Sequence, residues 1–119
     1  MEKQISIGVG DAADTAKGFI EAWRRADGRE KLEVERRLTF ENLETLLKTL
    51  TTGRWGLLRK LHTRGPMSVR ALAKELGRDY KNVHTDVRRL EVVGLIGRSK
   101  DSKIEVPWDI VEAHLRLAA

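Results

Sequence analysis

Ile5, Ile7 and Val9 alternate with Ser6 and Gly8, the two-residue period of a β-strand. Ala16, Phe19, Ile20 and Trp23 recur at i, i+3, i+4 and i+7. That stripe predicts a helix entered through Asp11 or Asp14 and ended at Gly28. Leu32, Val34, Leu38 and Phe40 then alternate with charged or polar neighbours, a second strand in which Arg36 is the one misfit on the apolar face. Strand, helix, strand over residues 1–40 predicts a small βαβ unit. Two strands make a poor sheet with two open edges, so this segment needs a further strand, from the chain or from a second copy. It is expected to serve dimerisation or partner binding.

Beyond residue 40 the period becomes helical. Phe40, Leu43, Leu46, Leu47 and Leu50 form one stripe, with Phe40 at the junction, and Thr51 or Thr52 caps the next helix. Trp55, Leu58 and Leu61 form the stripe of that helix, which Arg64-Gly65-Pro66 ends. Ser68 is a good N-cap for Val69, Leu72, Ala73 and Leu76, and Gly77 closes that short helix. Asp79 caps another, in which Val83, Val87, Leu90 and Gly94 share a face. Two short helices joined by a tight turn at 77–79 have the sequence form of a helix-turn-helix. "LIGR" and "IEV" around the polar "SKDSK" predict a hairpin directly after it, the position of a wing. Residues 41–107 are thus expected to form one DNA-binding domain. Pro107 stops the hairpin, and "WDIVEAHLRLAA" predicts a last helix over 108–119, with Trp108, Val111, Leu115 and Ala118 on one stripe. The fold class expected is α+β.

Charge sharpens this outline. Residues 54–103 carry 13 Lys and Arg against 5 Asp and Glu, a net +8, whereas residues 1–53 are near neutral at −1 and residues 104–119 are at −2. A basic block confined to the predicted helix-turn-helix and hairpin points to an anionic partner, most commonly nucleic acid. The second helix of the pair concentrates the chemistry. Opposite Val83, Val87 and Leu90 it presents Lys81, Thr85 and Arg88, flanked by Asn82, His84 and Arg89. Asn pairs with adenine in two-point fashion, Arg forks onto guanine, and Thr and His touch base edges. The helix start turns amide hydrogens towards phosphate, and Tyr80 adds a hydroxyl and a ring there. A solvated face is the plain alternative, with Asp86 spaced to pair with Arg89. Ser68 and Arg78 border the turn, and Arg98, Lys100 and Lys103 lie on the hairpin, where phosphate or minor-groove contacts belong.

The stretch "RWGLLRKLHTRGPMSVRALAKELGRDYKNVHTDVRRLEVVGLIGR" resembles a winged helix-turn-helix. More narrowly it is similar to a family of short archaeal and bacterial transcriptional regulators distantly related to the multiple-antibiotic-resistance type. The matching pieces include Arg54-Trp55, Gly65-Pro66-Met67-Ser68, Gly77-Arg78-Asp79, Val83-His84-Thr85-Asp86-Val87, Gly94-Leu95-Ile96 and Val106-Pro107-Trp108. The resemblance implies DNA binding; with the basic block and the open strand edges of the first segment, the expectation is a sequence-specific double-stranded DNA-binding regulator, a homodimeric repressor. Some members of that family resemble antitoxins, which implies an alternative role: binding and neutralising a toxin protein while repressing the shared operon.

Little else in the chain suggests chemistry. There is no cysteine, which excludes disulfides, thiolate metal sites and Cys nucleophiles. His62, His84 and His114 fall on three different predicted helices without metal-ligand spacing. Ser68 with His84 and Asp86 has no nucleophile elbow around it, and "GVGDAADTAKG" matches neither phosphate-binding fingerprint. No enzyme, cofactor or metal is expected. Trp23, Trp55 and Trp108 sit on apolar stripes and are expected in the core. No apolar run reaches the roughly 20 residues of a membrane span. The N-terminus lacks a signal-peptide layout, so a cytoplasmic location is expected.

Overall fold

The computed structural model describes residues 2–10 and 33–117. The helix expected between Asp11 and Gly28, with Trp23, lies outside the described residues. The chain divides into two compact units: residues 1–48 together with 108–119, and residues 49–107. The second unit is thus an insertion between two parts of the first. Both helix and strand are present, an α+β composition.

The first unit is built on a three-stranded parallel sheet of order β2-β1-β5. β1 is Lys3–Val9, β2 is Glu33–Phe40 and β5 is Ile110–His114. The central position of β1 follows from its apolar alternation, with Ile5 and Ile7 fully buried. β2 runs beside it in register from Lys3↔Glu33 to Val9↔Phe40, but Gln4 pairs with Val34 and Ile5 with Arg36. The extra residue is a bulge. It falls where the sequence alternation slips at Arg36, whose side chain is exposed while Phe40 is buried. A short helix follows, α1 (Leu43–Thr49), which buries Leu46 and leaves Leu43 and Leu47 exposed.

The helix expected over 108–119 is not formed: Ile110–His114 is the strand β5, parallel to β1 from Gln4↔Ile110 to Gly8↔His114. The Trp108, Val111, Leu115 spacing fits a helix. Ile110–Val111 is nevertheless β-branched, and Val111, Ala113 and Leu115 equally satisfy a strand period. An open edge on the apolar β1 decides between them. Asp109 N–H donates to Lys3 O at 2.8 Å, and Lys3 N–H donates to Asp109 Oδ2 at 3.0 Å, pinning the strand start. The third strand that the first two needed therefore comes from the same chain. Trp108 is buried, as expected. His114 lies on β5, with Nε2 2.6 Å from Glu112 Oε1.

The second unit contains α2 (Thr52–Arg64), α3 (Val69–Leu76) and α4 (Tyr80–Val93), then the two-stranded antiparallel pair β3 (Gly97–Arg98) and β4 (Ile104–Glu105). Thr51 caps α2 by accepting from Arg54 N–H at 3.2 Å. Met67 bridges Ile104 through two backbone hydrogen bonds of 3.1 and 2.9 Å, so the segment before α3 lies along the hairpin. Leu57, Leu61, Leu72, Val83, Val87, Leu90 and Ile104 are fully buried. Each such side chain contributes about 1.5–3 kcal/mol relative to exposure. Trp55 departs from expectation. It is 40% exposed, because α2 turns Leu57, Leu58 and Leu61 inward instead.

Candidate nucleic-acid interface

The turn between α3 and α4 is built by its caps. Ser68 Oγ accepts from Ala71 N–H at 3.1 Å, satisfying a donor at the start of α3. Gly77 ends α3 at φ 64° and ψ 34°, the left-handed conformation that a side chain disfavours. Its N–H reaches Lys74 O, and Arg78 N–H reaches Ala73 O at 3.1 Å. Asp79 then accepts from Asn82 N–H at 3.3 Å and starts α4. A single residue, Arg78, separates the two caps, which fixes the angle between the helices.

α4 buries Val83, Val87 and Leu90 on one side and exposes Lys81, Asn82, His84, Thr85, Arg88 and Arg89 on the other. Asp86 lies between the two faces and makes the unit's central polar contact. It accepts from Arg54 Nε at 3.0 Å and from Arg78 Nη2 at 2.7 Å. Arg54 Nη1 also donates to Thr49 O at 3.0 Å. The Asp86 and Arg54 side chains are each only 15% exposed. This cluster joins the first turn of α2, the middle of α4 and the α3–α4 turn. The Asp86–Arg89 pair that the solvated-face alternative offered does not form. Geometry explains this: Asp86 faces inward, where Arg54 satisfies it with less screening by solvent.

Glu91 on α4 accepts from Arg98 Nε at 2.9 Å and from Nη2 at 3.0 Å, a two-point pair that ties the hairpin to the helix. Arg98 Nη1 also donates to Ser102 O at 3.2 Å across the hairpin loop. At the far side, Arg64 of α2 donates to Glu75 of α3. The hydrogen bond from Arg64 holds the Glu75 carboxyl below the usual carboxylate range, and the same bond raises the Arg64 guanidinium further. Glu75, Asp79, Asp86 and Glu91 are thus all engaged in caps or ion pairs that hold the frame. Lys81, Arg88 and Arg89 on α4 and Lys100 and Lys103 on the hairpin make no ion pair among the described residues.

The HVO_A0114 family model matches residues 49–113, more than half of the chain. The chain belongs to the HVO_A0114 family. No curated protein and no solved structure matches it. The HVO_A0114 match takes in the whole second unit and continues into β5 as far as Ala113.

Within this HVO_A0114 segment the residues singled out from sequence fall into two groups. Lys81, Asn82, His84, Thr85, Arg88 and Arg89 come together on the outer side of α4, and Lys100 and Lys103 lie exposed on the hairpin. Thr85 Oγ1 donates back to Lys81 O at 3.0 Å, which leaves its oxygen free to accept. Ser68, Arg78 and Arg98 are engaged in a cap and two ion pairs, so their first role is structural. Tyr80 lies in a stack that the sequence did not reveal. The Arg70 guanidinium sits 4.5 Å from its ring centroid, and the His84 ring lies 5.8 Å away. Arg70 on α3 and Arg54 on α2 were missed because no local spacing rule joins residues on different helices. Among the described residues no helix is long and apolar enough to cross a membrane.

Proposed function

We propose that this protein is a sequence-specific double-stranded DNA-binding transcriptional regulator, a dimeric repressor built on a winged helix-turn-helix. One observation carries the reading. The acidic side chains of α3 and α4 are engaged in caps and ion pairs, while Lys81, Arg88 and Arg89 face solvent beside Asn82 and Thr85. A merely solvated helix has no reason to separate its charges in this way. A helix that enters a major groove does, because unneutralised cations meet phosphates while Asn and Arg reach base edges. The one-residue turn sets α4 against α3 as a recognition helix, and the Arg98–Glu91 pair holds the hairpin beside it as a wing.

The test is selection of bound sites from random duplexes, followed by titration of the preferred site over a range of salt. If Lys81, Arg89, Lys100 and Lys103 each neutralise a phosphate, log affinity falls linearly with log salt, with a slope of about −3.6 per chain. A slope near zero, or no enrichment of any sequence, defeats the reading.

A further inference from the structure

The sheet of the first unit has two outer edges, and they are unlike. β2 carries the bulge opposite Gln4 and Ile5 and two exposed arginines, Arg36 and Arg37. Bulges and charge are the usual devices that keep an edge from pairing. β5 has neither a bulge nor Lys, Arg or Pro within Ile110–His114. Among the described residues no strand lies along its outer side.

Gly10 N–H donates to Phe40 O on β2, in step with the β1–β2 register, whereas the Asp109 N–H bond to Lys3 O lies before the regular β1–β5 ladder that starts at Ile110. Along β1, even residues therefore hydrogen-bond towards β2 and odd residues towards β5. In a parallel ladder one residue of each registered pair bonds across and the other faces away. Ile5 registers with Val111 and Ile7 with Ala113. The N–H and C=O of Val111 and Ala113 consequently point outward, as would those of Leu115 if the strand continued.

We infer that a second copy of this chain pairs antiparallel along the outer edge of β5, about a two-fold axis at Ala113. This names the seam of the dimer proposed above and rests on that dimer, not on the DNA-binding reading. In this register Ala113 meets its own copy and the two exchange backbone hydrogen bonds. Val111 meets Leu115 of the other copy, again as a hydrogen-bonded pair on one face. Leu115 is exposed in the single chain, and continuation of β5 by one residue sets it against Val111 of the other copy. On the opposite face Glu112, whose carboxylate already accepts from Gln4 Nε2 and lies 2.6 Å from His114 Nε2 of its own chain, comes beside His114 of the other copy at a close non-hydrogen-bonded position, where opposite charges meet and like charges do not. Shifting the axis back by one residue would set Glu112 against Glu112, and shifting it forward by one would set His114 against His114. Axes between residues would oppose inward-facing to outward-facing backbone. The Ala113 axis alone matches hydrogen bonding, charge and apolar contact together.

Two full-length variants test this. Ala113→Pro removes an N–H that β1 does not use, so the sheet keeps its ladder while the seam loses its central bond and gains a ring. Light scattering at micromolar concentration should give a two-chain mass for the parent protein and a one-chain mass for Ala113→Pro, with the far-ultraviolet circular dichroism retained. Ala113→Cys supplies the only thiol in the chain and should cross-link on oxidation as a two-chain species, with Leu47→Cys on α1 as the control that does not. If Ala113→Pro unfolds, the cysteine pair decides alone. A parent protein of one-chain mass overturns both the dimer and its seam. A parent dimer that survives Ala113→Pro, or whose Ala113→Cys variant stays unlinked on oxidation, overturns the seam and keeps the dimer.

Discussion

Replacing Asp86 by alanine should unfold the second unit more easily without exposing any apolar side chain to a new environment. Asp86 accepts one hydrogen bond from Arg54 and one from Arg78, and both donors are charged. Hydrogen bonds to charged groups contribute about 1.5–3 kcal/mol when desolvated. Breaking a fully buried pair costs about 3–5 kcal/mol, and an exposed pair about 0–1 kcal/mol. The Arg54–Asp86 pair, with both side chains at 15% exposure, lies nearer the buried limit, whereas Arg78 at 35% lies nearer the exposed one. About 2 kcal/mol from Arg54 and about 0.5 kcal/mol from Arg78 give a total of about 2.5 kcal/mol. Urea unfolding followed by circular dichroism reads this as a lower midpoint at unchanged slope. Arg78→Ala should cost about 0.5 kcal/mol. The double variant Arg54→Ala with Asp86→Ala should show a coupling of about 1–2 kcal/mol. A different result refutes the reasoning: unchanged stability on loss of Asp86, with DNA affinity simply rising through removal of a negative charge. Asp86 would then be a diluting surface charge and not the joint between three helical segments.

On the preferred duplex, Asn82→Ala or Arg88→Ala should cost about 1–3 kcal/mol and relax the sequence preference, measured by binding to a panel of single-base variants. Lys100→Ala on the hairpin should weaken all sequences alike and reduce the salt slope by about 1; a wing change that alters preference while the helix changes do not would reverse the roles. Because the hydrogen bond from Arg64 lowers the Glu75 carboxyl in the folded protein, its contribution to stability is complete above the ordinary carboxylate range and is lost as pH falls through the lowered folded value. Carbon-detected titration of Glu75 should show the lowered midpoint, returning towards the ordinary range in Arg64→Ala; an unchanged midpoint would mean the pair is not formed in solution.

The elements around the turn were legible because their signals are local. Ser68, Gly77 and Asp79 act on backbone groups within three or four residues, so cap chemistry and the 3.6-residue period determined α3, α4 and their junction without help from the rest of the chain. The same holds for the outward set of Lys81, Asn82, Thr85, Arg88 and Arg89, because it lies opposite the face that carries Val83, Val87 and Leu90. β1 and β2, and their parallel direction, were likewise readable from alternation and order.

Three features depended on residues in different elements. Asp86 could be assigned a partner from sequence only at helical spacing, which favoured Arg89, while the partners it holds are 32 and 8 residues away. Arg98 reads as an unpaired hairpin cation until Glu91 is seen beside it on α4. The last segment fits a helix by period, and Ile110–His114 is a strand because the apolar β1, more than a hundred residues earlier, offers it an open ladder. Periodicity states which side chains share a face under each backbone conformation. Which conformation is adopted is set by the hydrogen bonds and buried area that distant segments provide, and those exist only once the chain has folded.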